Sequence, residues 1–157
     1  MLKFVTPKPA EPQLYKLSQR GGGGRRLCLF AGYCKDGIIP DYVIYYLKKL
    51  SMLCEIHYMA DSEVSDKEIA KIQPYVKSAS AVKHNKYDFG SWQELINMLG
   101  WDYIEQFGQL IFANDSCYAP VFPFEDMFIK MEHKNADFWG VTVNSLVKLP
   151  HVQSDFI

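Results

Sequence analysis

The sequence predicts an α/β fold: a mainly parallel sheet with helices on both faces. Three observations predict it. Short, almost wholly apolar runs of strand length stand at residues 27–31, 54–60 and 110–113. Between them lie longer segments whose apolar residues recur every three or four positions, the spacing of an amphipathic helix. Two of those segments open on Ser-x-x-Glu, the sequence of a capping box. Strands that alternate with helices need crossover connections, and these give parallel pairing with helices packed on the sheet.

In chain order, residues 1–24 read as a tail or linker. They hold Pro7, Pro9 and Pro12 and end in four glycines, residues 21–24. Those glycines have no strand before them and no Lys-Ser/Thr helix start after them, so a flexible connector fits better than a phosphate loop. The domain proper is expected over residues 25–157. Leu27-Cys28-Leu29-Phe30-Ala31 is the first strand, stopped by Gly32. Residues 40–53 carry Val43, Ile44, Leu47 and Leu50 at helical spacing, with Pro40 suited to a first turn. Residues 54–60 form a second strand ending at Asp61. Ser65-Asp66-Lys67-Glu68 is a capping box for a helix through Ile69 and Ile72, and residues 80–84 form a short third strand. After a loop at 85–90, Ser91-Trp92-Gln93-Glu94 is a second capping box, opening a helix through Leu95, Ile96 and Leu99. Residues 110–113 are the most apolar strand and stop abruptly at Asn114-Asp115-Ser116. Phe124, Met127, Phe128 and Met131 recur at helical spacing, residues 138–143 read as a fifth strand, and 152–157 begin another element. Phe30, Leu110, Ile111 and Phe112 are expected in the core. The chain ends on Asp155-Phe156-Ile157, an element cut in its middle, so a truncated domain is expected.

Composition narrows the function classes. A net charge of −1 supplies no whole-chain basic field for nucleic acid and no polybasic membrane patch. Cys28, Cys34, Cys54 and Cys117 contain no Cys-x-x-Cys pair, which argues against a zinc ribbon or a thioredoxin-like site. His57, His84, His133 and His151 lack metal-ligand spacing. No run approaches a membrane span of roughly 20 apolar residues and none fits a signal peptide, so a cytoplasmic location is expected.

In open parallel sheets, ligands bind at the carboxyl ends of the strands. Three polar groups fall there: the turn Gly32-Tyr33-Cys34-Lys35-Asp36-Gly37, Asp61, and Asn114-Asp115-Ser116. The last is equally readable as an Asx turn in which Asp115 caps the next segment. Tyr87-Asp88-Phe89-Gly90-Ser91-Trp92 can join them. Gly90 is free to take a positive φ before a helix start, and Asp88 can then face a sugar hydroxyl while Phe89 and Trp92 pack in the core. Asp137-Phe138-Trp139-Gly140 reads as an aromatic plug closed by a tightly packed glycine.

These motifs in this order resemble the rhamnan synthesis protein F family. Phe30-Ala31-Gly32-Tyr33, Tyr46-Leu47 with Leu50, and Ala60-Asp61-Ser62 match its start. Tyr87-Asp88-Phe89-Gly90-Ser91-Trp92, Asn114-Asp115-Ser116-Cys117-Tyr118 with Pro120, Asp137-Phe138-Trp139-Gly140 and His151-Val152-Gln153-Ser154 follow. The resemblance covers residues 27–157. It implies a glycosyltransferase of cell-wall or lipopolysaccharide assembly, associated with rhamnose transfer from a dTDP-sugar. It also implies the nucleotide-binding half of a GT-A-like, Rossmann-like fold. In that fold a metal-binding Asp-x-Asp follows a central strand; here Asn114-Asp115-Ser116 stands in that place, with Asp115 as the implied ligand of Mg²⁺ or Mn²⁺. The implied donor site runs across Ala31, Gly32, Tyr33, Asp61, Asp88, Gly90, Asn114 and Asp115. The acceptor site and catalytic base of inverting GT-A enzymes are expected beyond residue 157.

The first reading is therefore a transferase domain that takes dTDP-rhamnose or another nucleotide-sugar and a polysaccharide or lipid-linked saccharide acceptor. The full-length protein would touch the inner face of the cytoplasmic membrane peripherally. A second reading is a noncatalytic nucleotide-sugar- or partner-binding domain of a polysaccharide assembly complex. A third, another phosphate-handling α/β enzyme, would need a nucleophile at a strand end, for which Asp115 is the candidate but lacks a second Asp nearby.

Overall fold

A computed structural model describes residues 24–134, 136–146 and 149–157. The tail expected over 1–24 lies outside the described residues except for Gly24. The elements run β1 (Arg26–Gly32), α1 (Asp41–Leu50), β2 (Glu55–Ala60), α2 (Asp66–Ile72), a single 3-10 turn (Gln73–Tyr75), β3 (Ser78–Ala81), α3 (Tyr87–Leu99), α4 (Trp101–Ile104), β4 (Gln109–Asn114), α5 (Phe124–Glu132), β5 (Val143–Asn144) and β6 (His151–Val152).

Four strands form one parallel sheet in the order β3-β2-β1-β4. The central β1 explains the apolar run: Leu27, Cys28, Leu29, Phe30 and Ala31 are all fully buried, because a central parallel strand is covered on both faces. Alternate residues divide between two cores. Cys28, Phe30, Ile56, Tyr58 and Ile111 face α1, α2 and α5, whose Val43, Tyr46, Leu47, Leu50, Ile72 and Phe128 complete that side. Leu27, Leu29 and Met59 face α3 and α4, where Trp92, Leu95 and Ile104 cover them. The expected α/β sheet with helices on both faces is thus what the chain forms.

The strand order places a reversal between β1 and β4. The chain steps outward from β1 through β2 to β3 and then crosses back to the far side of β1. Open parallel sheets bind ligands at such a reversal, in a crevice outside the carboxyl ends of the strands, here those of β1 and β4.

Several local expectations need correction. Helix α3 begins at Tyr87, not at a Ser91 cap; Ser91 is a buried helical residue whose hydroxyl meets His84 Nε2 at 3.0 Å. Gly90 sits inside that helix, and the positive φ angles belong instead to Asn85 (56°) and Tyr87 (57°). Phe89 is 70% exposed rather than core, while Trp92 is buried as expected. Leu110 and Phe112 are only half-buried, since β4 lies outside β1. The third strand is Ser78–Ala81, not 80–84. Residues 138–143 do not form a fifth strand; only Val143–Asn144 pairs, antiparallel, with His151–Val152. The Ser65 box forms on one side only. Ser65 Oγ accepts the Glu68 N–H, but the Glu68 carboxylate takes the Ile39 N–H at 3.0 Å and the Lys71 ammonium at 2.7 Å.

The chain's end returns to the sheet. Phe112 and Ile157 exchange two backbone hydrogen bonds of 2.8 and 2.9 Å, and Phe156 bridges Ala113 antiparallel. Phe156 lies 3% exposed among the rings of Phe124, Phe128 and Trp139. The Trp139-Gly140 plug packs there too, where any Cβ on Gly140 would overlap Val152.

Candidate functional site

The crevice between β1 and β4 is closed by one contact. Asp115, just past β4, accepts the Tyr33 N–H on Oδ2 at 2.7 Å, just past β1. Its backbone carbonyl accepts the Tyr42 hydroxyl of α1 at 3.0 Å. Gly32 permits this turn because a Cβ there would overlap the Tyr58 hydroxyl, and Tyr58 is fully buried beneath it. Ser62 Oγ accepts the Cys34 N–H at 2.8 Å, so the end of β2 holds the same turn from the other side.

Asn114 joins three segments. Its Nδ2 donates to Asp88 Oδ2 at 2.7 Å and to the Ser154 carbonyl at 3.3 Å, while its Oδ1 accepts the Ser116 N–H at 3.1 Å. The Asx turn at this position is therefore made by Asn114, which frees Asp115 from capping duty. Burial pushes the Asp115 carboxyl up to about 6, and the nearby Asp88 carboxylate adds to the rise against the opposing Tyr33 N–H. Burial also raises Asp88, with the Asp155 and Asp61 carboxylates adding to it and the Asn114 hydrogen bond opposing. Among the described residues no Lys, Arg or His forms an ion pair with Asp88, Asp115 or Asp155. This end of the sheet thus gathers one buried and two half-buried carboxylates with no counterion among the described residues.

Asp61 is different. Both its oxygens are committed to backbone: Oδ1 accepts the N–H groups of His84 and Asn85 at 2.8 Å each, and Oδ2 those of Lys86 and Tyr87 at 3.1 and 3.0 Å. Burial works against its ionised form, but those N–H groups and the His84 ring prevail and hold its pKa below the ordinary value. The structure gives Asp61 the task of anchoring the loop into α3, which sets Asp88 beside Asn114. Gly90 serves the same packing, since a Cβ there would overlap the Lys86 side chain and press on the His84 ring at 3.0 Å. Ala31 is wholly buried in β1. Of the residues expected in a donor site, Gly32, Tyr33, Asp88, Asn114 and Asp115 thus converge on the crevice. Asp61, Gly90 and Ala31 support it from behind. Sequence reasoning missed Tyr42 and the 154–155 segment, because only the fold brings them to this edge.

As a cation site the edge is incomplete on the protein side. Among the described residues no group of three or more His, Cys, Asp or Glu side chains converges. Hard oxygen donors with unbalanced negative charge nonetheless suit Mg²⁺ or Mn²⁺, provided that phosphate oxygens and water supply the remaining ligands.

A parallel sheet with a crossover crevice, lined by a strand-end carboxylate and backbone N–H groups, defines the Rossmann-like α/β class. Residues 56–157 match the family described as rhamnan synthesis protein F, and the chain belongs to that family. Its role therefore lies in rhamnan synthesis, a branch of polysaccharide biosynthesis. No curated protein and no solved structure is a match for the chain. Among the described residues no helix is long and apolar enough to cross a membrane.

Proposed function

We propose that residues 25–157 are the nucleotide-sugar-binding part of a glycosyltransferase that moves rhamnose or a related sugar from a dTDP donor onto a growing polysaccharide. The observation that carries this reading is Asp115: a buried carboxylate with no counterion among the described residues, held by the Tyr33 N–H at the carboxyl ends of β1 and β4.

In the reaction an acceptor hydroxyl attacks the anomeric carbon of the donor, and the bond from that carbon to the diphosphate oxygen breaks. The residues of this chain bind and orient. The turn 32–34 closes over the crevice, and Asn114 keeps the Asp88 carboxylate beside it. Asp115, backed by Asp88, is the residue that would hold a divalent cation. When bound, that cation offsets the charge that gathers on the departing diphosphate.

The test is calorimetric titration of dTDP and a dTDP-sugar into the protein, with Mg²⁺, with Mn²⁺ and with chelator. The reading expects binding that needs the cation and is stronger for the nucleoside diphosphate than for the nucleoside. Absence of any nucleotide binding with either metal would overturn it.

A further inference from the structure

A groove of about 620 Å³ opens between the 117–123 loop, α5 and the returning C-terminal segment, with Tyr46 of α1 in its lining. We infer that this groove is a saccharide site and that it receives the acceptor glycan; the inference rests on the transferase reading above. Its size falls in the range of small-ligand sites, roughly 300–1,000 Å³.

The lining has the chemistry a sugar ring needs. Tyr118, Phe122 and Trp139 present aromatic surface against which the C–H face of a pyranose can pack. Tyr118 is 76% and Phe122 80% exposed, so neither is consumed by the core. Fixed polar groups stand among them. Asp155 lines the groove, its Oδ2 accepting the Thr142 hydroxyl at 3.1 Å. Tyr46 forms part of the floor, fully buried, and among the described residues its hydroxyl finds no hydrogen-bond partner. Buried hydroxyls are almost always paired, so an orphan at the floor of a groove points to a ligand that supplies the partner.

Position argues for the acceptor rather than the donor. The groove adjoins the crevice through two direct links. The Tyr118 ring packs on Tyr42 with centroids 4.4 Å apart, and the Tyr42 hydroxyl donates to the Asp115 carbonyl. Asp155 follows Ser154, whose carbonyl accepts from Asn114. A donor held at Asp115 thus has its sugar at the groove's mouth, where an acceptor hydroxyl must arrive. A second hollow, about 420 Å³ and lined by Ser51, Glu55 and Lys77, lies at the amino ends of the strands. That is the wrong end of a sheet whose six-residue strands span roughly 20 Å. The family resemblance implies an acceptor site beyond residue 157; with the groove as a saccharide site, at least part of it lies within the chain.

The test uses the whole chain, a rhamnose disaccharide and a rhamnose-rich oligosaccharide as probes, and maltotriose as a control. Saturation-transfer NMR and calorimetry should detect the rhamnose probes. Phe122→Ala and Tyr118→Ala, both at exposed positions, should weaken saccharide binding, and Phe122→Ala, which touches nothing of the donor site, should leave dTDP binding unchanged. Tyr46→Phe removes one oxygen; affinity should fall about tenfold, the loss of a single hydrogen bond to a ligand, with no fall in melting temperature. Binding of the probes that is insensitive to all three substitutions, or no binding beyond that of maltotriose, would overturn the groove assignment. Nucleotide binding by the same samples reports on the transferase reading separately. A protein that binds dTDP but no saccharide loses only the groove, and one that binds the saccharide but no nucleotide loses only the donor site.

Discussion

Burying the Asp115 carboxylate costs the folded protein stability at neutral pH. Its carboxyl is pushed to about 6 in the folded protein, chiefly by burial, against an ordinary value of 3.8. A carboxyl whose folded pKa exceeds its unfolded one binds its proton more tightly when folded. Stability from this group therefore falls as pH rises from about 4 to about 6 and stays reduced above that. Two units correspond to roughly 2–3 kcal/mol. Asp115→Asn keeps the acceptor oxygen for the Tyr33 N–H and removes the charge. In metal-free buffer the variant should melt higher than the parent at pH 7.5, and the difference should close near pH 4. The same variant should lose cation-dependent dTDP binding in calorimetry. The melting difference follows from burial alone; the loss of cation-dependent binding is what a residue that served only as a turn former would not show, because Asn makes the same turn. Its place after the most apolar strand was legible in the sequence. Its partners, Tyr33 and Tyr42, were not, because they lie 82 and 73 positions away.

At the scale of elements, the loop into α3 depends on Asp61. Four backbone N–H groups converge on one carboxylate, and two non-glycine residues, Asn85 and Tyr87, hold positive φ within it. Such conformations persist where the surroundings over-determine them. Asp61→Ala should cost on the order of 2–4 kcal/mol in urea unfolding, since it strands buried donors. Because the folded Asp61 pKa is depressed, its contribution is present above the ordinary carboxylate range and is lost as pH falls through the folded pKa. The gap between parent and variant should therefore narrow in acid. Gly90→Ala tests the same corner sterically. The added methyl meets Lys86 and His84, and destabilisation of about 1–3 kcal/mol is expected from overpacking, read as a lower urea midpoint. This corner also explains why the Ser91 capping box misled. The Ser-x-x-Glu pattern is local, whereas the true start at Tyr87 is dictated by N–H groups satisfied from a different strand. By contrast Ser65 caps α2 on one side of its box, its Oγ accepting the Glu68 N–H.

Across the whole molecule, the sequence discloses the parallel sheet far better than its closing edge. β1, β2 and β4 are legible because a strand buried by helices is apolar along its length. β3 is less so, because Ser78–Ala81 is made of small residues and pairs on one side only. The sequence indicates an element from residue 152 onward but not its antiparallel return onto β4, since its partners lie more than forty positions earlier. That return is the link between the two proposed sites. Asn114 reaches the Ser154 carbonyl, and Phe156 fixes the wall of the groove through Phe124, Phe128 and Trp139. Phe156→Ala should therefore act on the whole domain. Truncating a buried Phe costs about 3–5 kcal/mol, and part of that appears as a cavity between α5 and the sheet. If the return is integral to the fold, the urea midpoint of the single transition falls and its slope is kept. Amide exchange at Phe112 and Ile157 should quicken together, because each N–H bonds the other's carbonyl. Saccharide binding should fall with the loss of the groove wall. Cation-dependent dTDP binding should survive in the folded fraction, since the Tyr33–Asp115 contact lies between β1 and β4 and does not involve Phe156. A variant that unfolds its last residues while the sheet keeps its parent midpoint would show the return to be a separate flap, and the two sites to be mechanically independent.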